Sequence, residues 1–320
     1  MVYYEASRGC PYRCSYCLSS LDKVMRPMPM DRVKRDLQFF LEEKVKQVKF
    51  IDRTFNYDKK RTYEIWKFLM DNDNGVTNFH FEVCGELLDD LLFDLLKKAR
   101  KGLFQFEIGI QSTNGKALEA VDRRDNINAI WYNVKRLVAM ENIHIHVDLI
   151  AGLPYEDYES FGKSFNRVYA LRADNLQLGF LKLLKGTKIR QEASVHDFVY
   201  RDKAPYEIIS NTYLSAIELI QLKMVEEVLD LFSNRGGFEG TLSFLERNVA
   251  AGPFDLFEQI ADFYYAGGYQ HRSHKKDALY RILMRFVETR KGLSKKMAIY
   301  GPRSRSVPHT ESASALSWTS

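Results

Sequence analysis

The sequence predicts a parallel α/β fold with a helical C-terminal extension. Two observations carry this reading. Short apolar runs alternate with helical stretches from residue 2 to about 185, and beyond about 190 only helical periodicity remains. Strands alternating with helical patterns of about 10–15 residues imply βα units on a parallel sheet. Such units either curve toward a barrel or lie as an open doubly wound sheet. In both, ligands gather at the carboxyl ends of the strands.

Taken in order, Val2–Ala6 reads as a strand that feeds a cysteine-rich loop. Val33, Leu37, Phe40, Leu41 and Val45 fall on one helical face, and Val48–Ile51 is the second strand. Lys59–Met70 is a helix carrying Ile65, Trp66 and Leu69, followed by a strand at Asn78–Val83 and a leucine-rich helix at Leu87–Arg100. Phe104–Ile110 is the fourth strand, with helical pattern to Met140. Ile143–Ile150 is the fifth strand, Ser160–Leu171 a helix and Asn175–Leu183 the sixth strand. Tyr206–Phe232 then reads as one long helix, with further helices at Leu242–Val249, Phe254–Tyr265 and Asp277–Val287. The expected division is a core over 1–190, a helical domain over 191–300, and a tail over 301–320. The tail is rich in Ser, Thr and Ala without periodicity and is read as disordered.

Composition is that of a globular protein: 320 residues, 45% hydrophobic and 28% charged. No apolar run approaches the roughly 20 residues that span a bilayer, so no membrane role is expected. The opening MVYYEASRGC has no basic segment followed by an apolar core, which reads as a cytoplasmic chain. The net charge of +5 is uneven: residues 270–305 hold eleven Lys and Arg against Asp277 and Glu288. A basic block can bind nucleic acid, but it is more often a solvated helix face, and the latter reading is preferred here.

Four cysteines are present, and Cys10, Cys14 and Cys17 lie within one loop directly after the first strand. In a reducing compartment such spacing favours metal ligands over disulfides. Three thiolates on a tight loop can each hold a different iron of a cubane, leaving the fourth iron open to bind substrate atoms. Gly9 and Pro11 suit a loop that bends closely. A structural zinc or a ferredoxin-type cluster would want a fourth ligand. The remaining cysteine, Cys84, lies far along the chain and reads as a buried structural thiol.

The loop Cys10-x3-Cys14-x2-Cys17, with Tyr16 before the last cysteine, resembles the cluster motif of the radical S-adenosylmethionine (SAM) superfamily. The resemblance runs to about residue 187. It implies a partial (β/α)6 barrel with a [4Fe–4S] cluster on Cys10, Cys14 and Cys17. The open iron would chelate SAM, and reductive cleavage would yield a 5′-deoxyadenosyl radical that takes hydrogen from a substrate. An electron donor such as flavodoxin or ferredoxin is implied as a partner.

The same resemblance points to the strand ends as SAM contacts. Asp52 takes the place of the family's glycine-rich turn near the methionyl amino group, with a helix cap or surface ion pair as the alternative. Glu82 and Glu107 are carboxylates suited to ribose hydroxyls or the ammonium group, and Gln111 and Ser112 can donate to the methionyl carboxylate. The run Gly109-Ile110-Gln111-Ser112 looks like that of anaerobic coproporphyrinogen oxidases. Asp148, Ile150 and Gly152 fall in a segment similar to the family's Asp-Leu-Ile-x-Gly-Leu-Pro, whose backbone lies against adenine. His144 and His146 share a strand face and are read as packed rather than catalytic.

Three stretches, Lys46–Phe50, Gly152–Asp157 and Leu176–Leu181, resemble a branch that carries an N-terminal cobalamin-binding domain and a helical C-terminal domain of unknown function. Cys10 falls too near the start for that first domain, so cobalamin would come only through a domain not in this chain. The leading expectation is a radical enzyme acting on a small molecule, with C-methylation if cobalamin is supplied. An RNA-modifying radical enzyme and a non-enzymatic iron–sulfur electron carrier or scaffold are the alternatives.

Overall fold

The computed structural model describes residues 1–22 and 24–290. They fall into two compact units, Met1–Leu219 and Ile220 onward. In the first unit six strands form one sheet: β1 (Val2–Tyr4), β2 (Gln47–Phe50), β3 (Asn78–Glu82), β4 (Phe104–Gln111), β5 (His144–Ala151) and β6 (Asn175–Phe180). Each pairs in parallel with the next, as in Tyr4 against Phe50, Glu82 against Glu107 and Val147 against Leu176. A doubly wound sheet reverses its strand order partway. Here spatial order equals chain order, so right-handed crossovers place all the helices on one face. The sheet curves about its other face as a partial barrel, and β6 does not pair back to β1.

The helices between the strands are α1 (Met30–Glu42), α2 (Lys59–Asp71), α3 (Asp90–Leu96), α4 (Gly115–Ala120), α5 (Ile127–Met140) and α6 (Tyr158–Tyr169). Asp58, Asp89, Asn114, Asn126 and Asp157 cap α2 to α6 by accepting from first-turn amides, which sets where each begins. The Asp89 cap explains why α3 is shorter than the leucine pattern suggested.

Alternation along the strands sorts the two faces. Val48, Phe50, Phe79, Phe81, Phe104, Phe106, Ile108, Val147 and Leu149 are buried on the helix side. Phe81 lies 4.4 Å from Phe50 and 4.3 Å from Phe55, and Trp66 stacks on Phe106 at 5.0 Å. Each such pair adds about 0.5–1.5 kcal/mol beyond burial. The opposite, concave face carries Lys49, His80, Glu82, Gln105, Glu107, Gly109, His146, Asp148 and Gln177. Closed (β/α)8 barrels fill this space with branched apolar side chains. Here it is lined with polar groups.

The long helix expected from Tyr206 begins only at Ala216. Val199–Tyr200 and Ile208–Ser210 instead form an antiparallel pair, and Asn211 Oδ1 closes the following turn by accepting from the amides of Tyr213 and Leu214. Pro205 interrupts any helix there. Residues 191–219 therefore belong to the first compact unit, and the structural boundary lies later than the expected 190. The second unit is helical, with helices at Glu239–Asn248, Pro253–Ala266 and Lys276–Glu288. Its core includes Phe232, Phe238, Phe257, Ile260, Tyr264 and Phe286. The expected tail over 301–320 lies outside the described residues.

Candidate active site

The cysteine loop is held from several sides. The backbone amide of Ala6 donates to Asp52 Oδ2 at 2.9 Å and Ser7 Oγ donates to Asp52 Oδ1 at 2.5 Å. Ser7–Arg8 pairs antiparallel with Arg26–Pro27 to close the loop at its base. Gly9 has φ +105°, and a Cβ there would lie 2.5 Å from the carbonyl oxygen of Val24, so only glycine fits. On the far side the Ser15 amide donates to Val121 and the Ile189 amide donates to Ser15. Cys14 is buried while Cys10 and Cys17 are half-buried, and all three are free thiols. Cys10 Sγ lies 3.3 Å from Thr54 Oγ1.

Among the described residues no group of three or more His, Cys, Asp or Glu converges on one ion. Three free thiols on one short loop, two of them half-buried, are a donor set that fits a cubane with one iron left open.

Asp52 is buried, and neither a helix cap nor an ion pair describes it. It is a buried acceptor that fastens the cysteine loop to the end of β2, committed to two donors. D52A leaves the Ala6 amide and the Ser7 hydroxyl unpaired and is expected to destabilise the cluster-free protein by about 2–3 kcal/mol. D52N retains one acceptor and should recover part of that loss in urea unfolding. Equal stability of D52A and wild type would remove this role.

At the ends of β4 and β5 the polar residues converge. The register slips between Gly109 and Gln111, and Gln111 has φ +69°. That left-handed backbone costs a non-glycine residue about 1–2 kcal/mol. The Gln111 amide folds back over Gly109, where a Cβ would meet Nε2 at 2.2 Å. Gln111 Oε1 and Asp148 Oδ1 are buried without a hydrogen-bond partner. They sit on neighbouring strands, since Gly109 pairs with Asp148.

Arg123 joins this end of the sheet to the cysteine loop. Its Nη2 donates to the Gly109 carbonyl at 2.6 Å, its Nη1 donates to Tyr16 Oη at 3.3 Å, and its Nε lies 2.7 Å from Asp125. Burial works to lower its pKa, but Tyr16, Asp125 and Cys14 outweigh burial and hold it charged. Sequence reasoning did not single it out, because one buried guanidinium looks like any other of 47 cations.

Deeper in the barrel Glu107 is already engaged, with His80 Nε2 at 3.1 Å and Lys49 Nζ at 3.4 Å. The His80 hydrogen bond, then Lys49, prevails over burial and pulls its pKa down to about 2. Glu82 pairs in register with Glu107 and lies 3.7 Å from Arg53; burial raises its pKa. His146 is packed, as the sequence suggested: Gln105 Nε2 lies 3.0 Å from its Nε2, and burial with His144 and His80 lowers its pKa to about 4.

Asp148 is pushed up to about 8, by burial first and then by the charges of Glu107 and Glu82. Its unfolded form loses a proton near pH 4. Its contribution to stability therefore falls as pH rises from about 4 to 8 and is flat above that. D148N should lose less stability than wild type between pH 5 and pH 8 in cluster-free protein, read from urea midpoints. Identical losses would contradict the shift.

Ser112 departs from expectation. It is fully buried, and its hydroxyl donates to Glu156 Oε1 at 2.6 Å, so its one proton is not directed at a ligand in the barrel. Ile150 pairs with Gly179 on the concave side. Gly152 has φ +93°, and Ile208 fills the direction its Cβ would take. Cys84 sits beside the cysteine loop, 3.0 Å from Tyr12 Oη, with its backbone clamped by the Asn56 amide. Of the basic block, residues 270–290 fall within the described part.

Residues 4–168 match the family model described as Radical SAM superfamily, and residues 194–300 match one described as Protein of unknown function (DUF4080). The second match begins well before the second compact unit. The chain is 27% identical over 175 residues to the cobalamin-dependent radical SAM methyltransferase TokK of Streptomyces tokunonensis, covering 49% of this chain and 24% of that protein. It is 24% identical over 196 residues to the ribosomal protein uS12 methylthiotransferase RimO of Chlamydia abortus, covering 58% and 43%. The chain thus spans about a quarter of the length of TokK. Among solved structures, the radical SAM methyltransferase TsrM of Kitasatospora setae, with cobalamin and a [4Fe–4S] cluster bound, superposes with a TM-score of 0.55. The identity is 16%, over 64% of this chain and 40% of that one, a likeness of fold. With the family model covering half of its length, the chain belongs to the radical SAM superfamily, whose members use a [4Fe–4S] cluster and SAM.

Proposed function

We propose that Cys10, Cys14 and Cys17 hold a [4Fe–4S] cluster and that SAM lies across the ends of β4 and β5, in an enzyme that activates a small-molecule substrate. The observation that carries the SAM assignment is the pair of buried, unpartnered atoms Gln111 Oε1 and Asp148 Oδ1 on neighbouring strands beside Gly109. Buried polar groups are hydrogen-bonded in the great majority of cases, so such a pair calls for a ligand bearing donors. The cluster with SAM supplies one-electron cleavage of the sulfonium bond.

The chain's residues supply the rest. Gln111 and Asp148 take the ribose hydroxyls. Arg123, charged and beside Cys14 and Tyr16, faces the methionyl carboxylate. Glu82 is the carboxylate for the ammonium group. Ile150 and the backbone at Gly152 form the apolar side for adenine. Glu107, tied to Lys49 and His80, shapes the chamber below. A donor such as flavodoxin or ferredoxin delivers the electron. C-methylation is the favoured outcome, in keeping with the methyltransferase relatives; any cobalamin comes through a domain not in this chain.

Equilibrium dialysis of labelled SAM against the anaerobically reconstituted protein tests the site. Q111A and D148A should each weaken SAM by about tenfold, the effect of losing one buried hydrogen-bond partner. Unchanged affinity in both would refute the placement. RNA modification is the second reading, favoured by a relative named tRNA-2-methylthio-N(6)-dimethylallyladenosine synthase. RNA retention that falls steeply with salt would support it, and failure to bind at low salt would end it.

A further inference from the structure

Glu156 lies in the turn after β5, is fully buried, and is none of the residues placed against SAM above. Two hydrogen-bonded chains end on one of its oxygens. The Asn114 amide donates to Ser112 Oγ at 2.9 Å, and Ser112 Oγ donates to Glu156 Oε1 at 2.6 Å. The Thr113 amide donates to Ser164 Oγ at 3.1 Å, and Ser164 Oγ donates to Glu156 Oε1 at 2.8 Å. Asn114 Nδ2 adds a third tie by donating to the Tyr155 carbonyl at 2.8 Å and to Ser160 Oγ at 3.0 Å.

These bonds extend the β4–β5 pairing, which ends with Gln111 against Leu149, to the two segments that leave the sheet there. One is the strand end on which Gln111, immediately before Ser112, sits at φ +69°. The other is the turn from Gly152 to Tyr155, where φ is +93° and +62° respectively. Left-handed non-glycine residues such as Gln111 and Tyr155 persist only where their surroundings fix them. Hydrogen bonds shielded from water are stronger than exposed ones, so the two serine bonds to Oε1 fix one geometry here, while Oε2 has no partner.

We infer that Glu156 is a positioning residue for the SAM site, locking the Gln111 strand end to the Gly152 turn and thereby setting SAM affinity without touching SAM. The inference rests on the SAM placement proposed above. Burial raises the Glu156 carboxyl to about 7, with the two serine hydroxyls opposing. In either protonation state Oε1 remains an acceptor, as would the amide oxygen of a glutamine.

The test uses the reconstituted full chain and four readouts: SAM dissociation constant by dialysis, iron content, hydrogen exchange of the amides of Thr113 and Asn114, and KM and kcat for 5′-deoxyadenosine formation. E156A should raise the SAM dissociation constant by about tenfold and speed exchange at both amides while iron content holds. The loss should fall on KM for SAM more than on kcat. E156Q should stay within about threefold of wild type, since the acceptor is kept. Folded E156A with wild-type SAM affinity would overturn the inference. Should E156A fail to fold, S112A and S164A each remove one arm and should each raise the constant by about threefold; no change in either would overturn it equally. Failure of the wild type itself to retain SAM would contradict the SAM placement, and this inference with it, and is separable because it needs no variant.

Discussion

Cys14→Ala is expected to abolish the cluster. After anaerobic reconstitution, iron and sulfide should drop from about four of each per chain to near zero, and the broad visible absorbance should vanish. Cys14 is the buried member of the three, held where the Cys17 amide donates to its carbonyl at 3.0 Å and where the next residue's amide is tied to Val121. Two remaining thiolates cannot keep a cubane that already lacks a fourth protein ligand. Cys84→Ala is the matched control. Its thiol lies against Tyr12 and Glu86, and burial pushes its pKa up to about 11. It should leave the iron content intact. A retained cubane in C14A, or its loss in C84A, would show that the ligand set is misassigned.

Arg123→Ala is expected to have the second largest effect, on stability and SAM together. The guanidinium is the one group that bonds the Gly109 carbonyl, Tyr16 and Asp125 at once. Both sides of the Arg123–Asp125 pair are largely withdrawn from solvent, at 15% and 4% side-chain exposure. Removing one partner strands the other, a change that costs about 3–5 kcal/mol in buried pairs. Urea unfolding of cluster-free protein should show a loss in that range. D125N in the R123A background should recover part of it. R123K should not restore SAM retention, since a single ammonium cannot reach carbonyl, phenol and carboxylate in the same fork. A folded R123A with unaltered stability would show that the bridge contributes nothing.

The features legible in the sequence are those set by local pattern. The cysteine spacing, the alternation of apolar runs with helices, and the polar residues ending β4 and β5 could all be read without coordinates, while the choice of a partial barrel over a doubly wound sheet came from the family resemblance. What could not be read depends on partners far along the chain. Asp52 looked like a ligand because it ends a strand, yet its donor Ser7 is 45 residues away. Ser112 looked like a donor to SAM, but its acceptor Glu156 lies 44 residues on. Arg123 meets Tyr16 across 107 residues. Glu107 was read as a carboxylate for SAM, while its capture by His80 and Lys49 follows from the register of β2, β3 and β4. The misplaced start of the helix at Ala216 has a local cause, since Asn211 and Pro205 act against an apolar spacing that suits a helix.

Whether this chain holds a cluster able to cleave SAM is read most directly from 5′-deoxyadenosine formed after reconstituted protein is reduced with dithionite in the presence of SAM. The wild type should form 5′-deoxyadenosine and C14A none. An intact cluster and bound SAM with no 5′-deoxyadenosine would contradict this, and would leave the chain as an iron–sulfur scaffold.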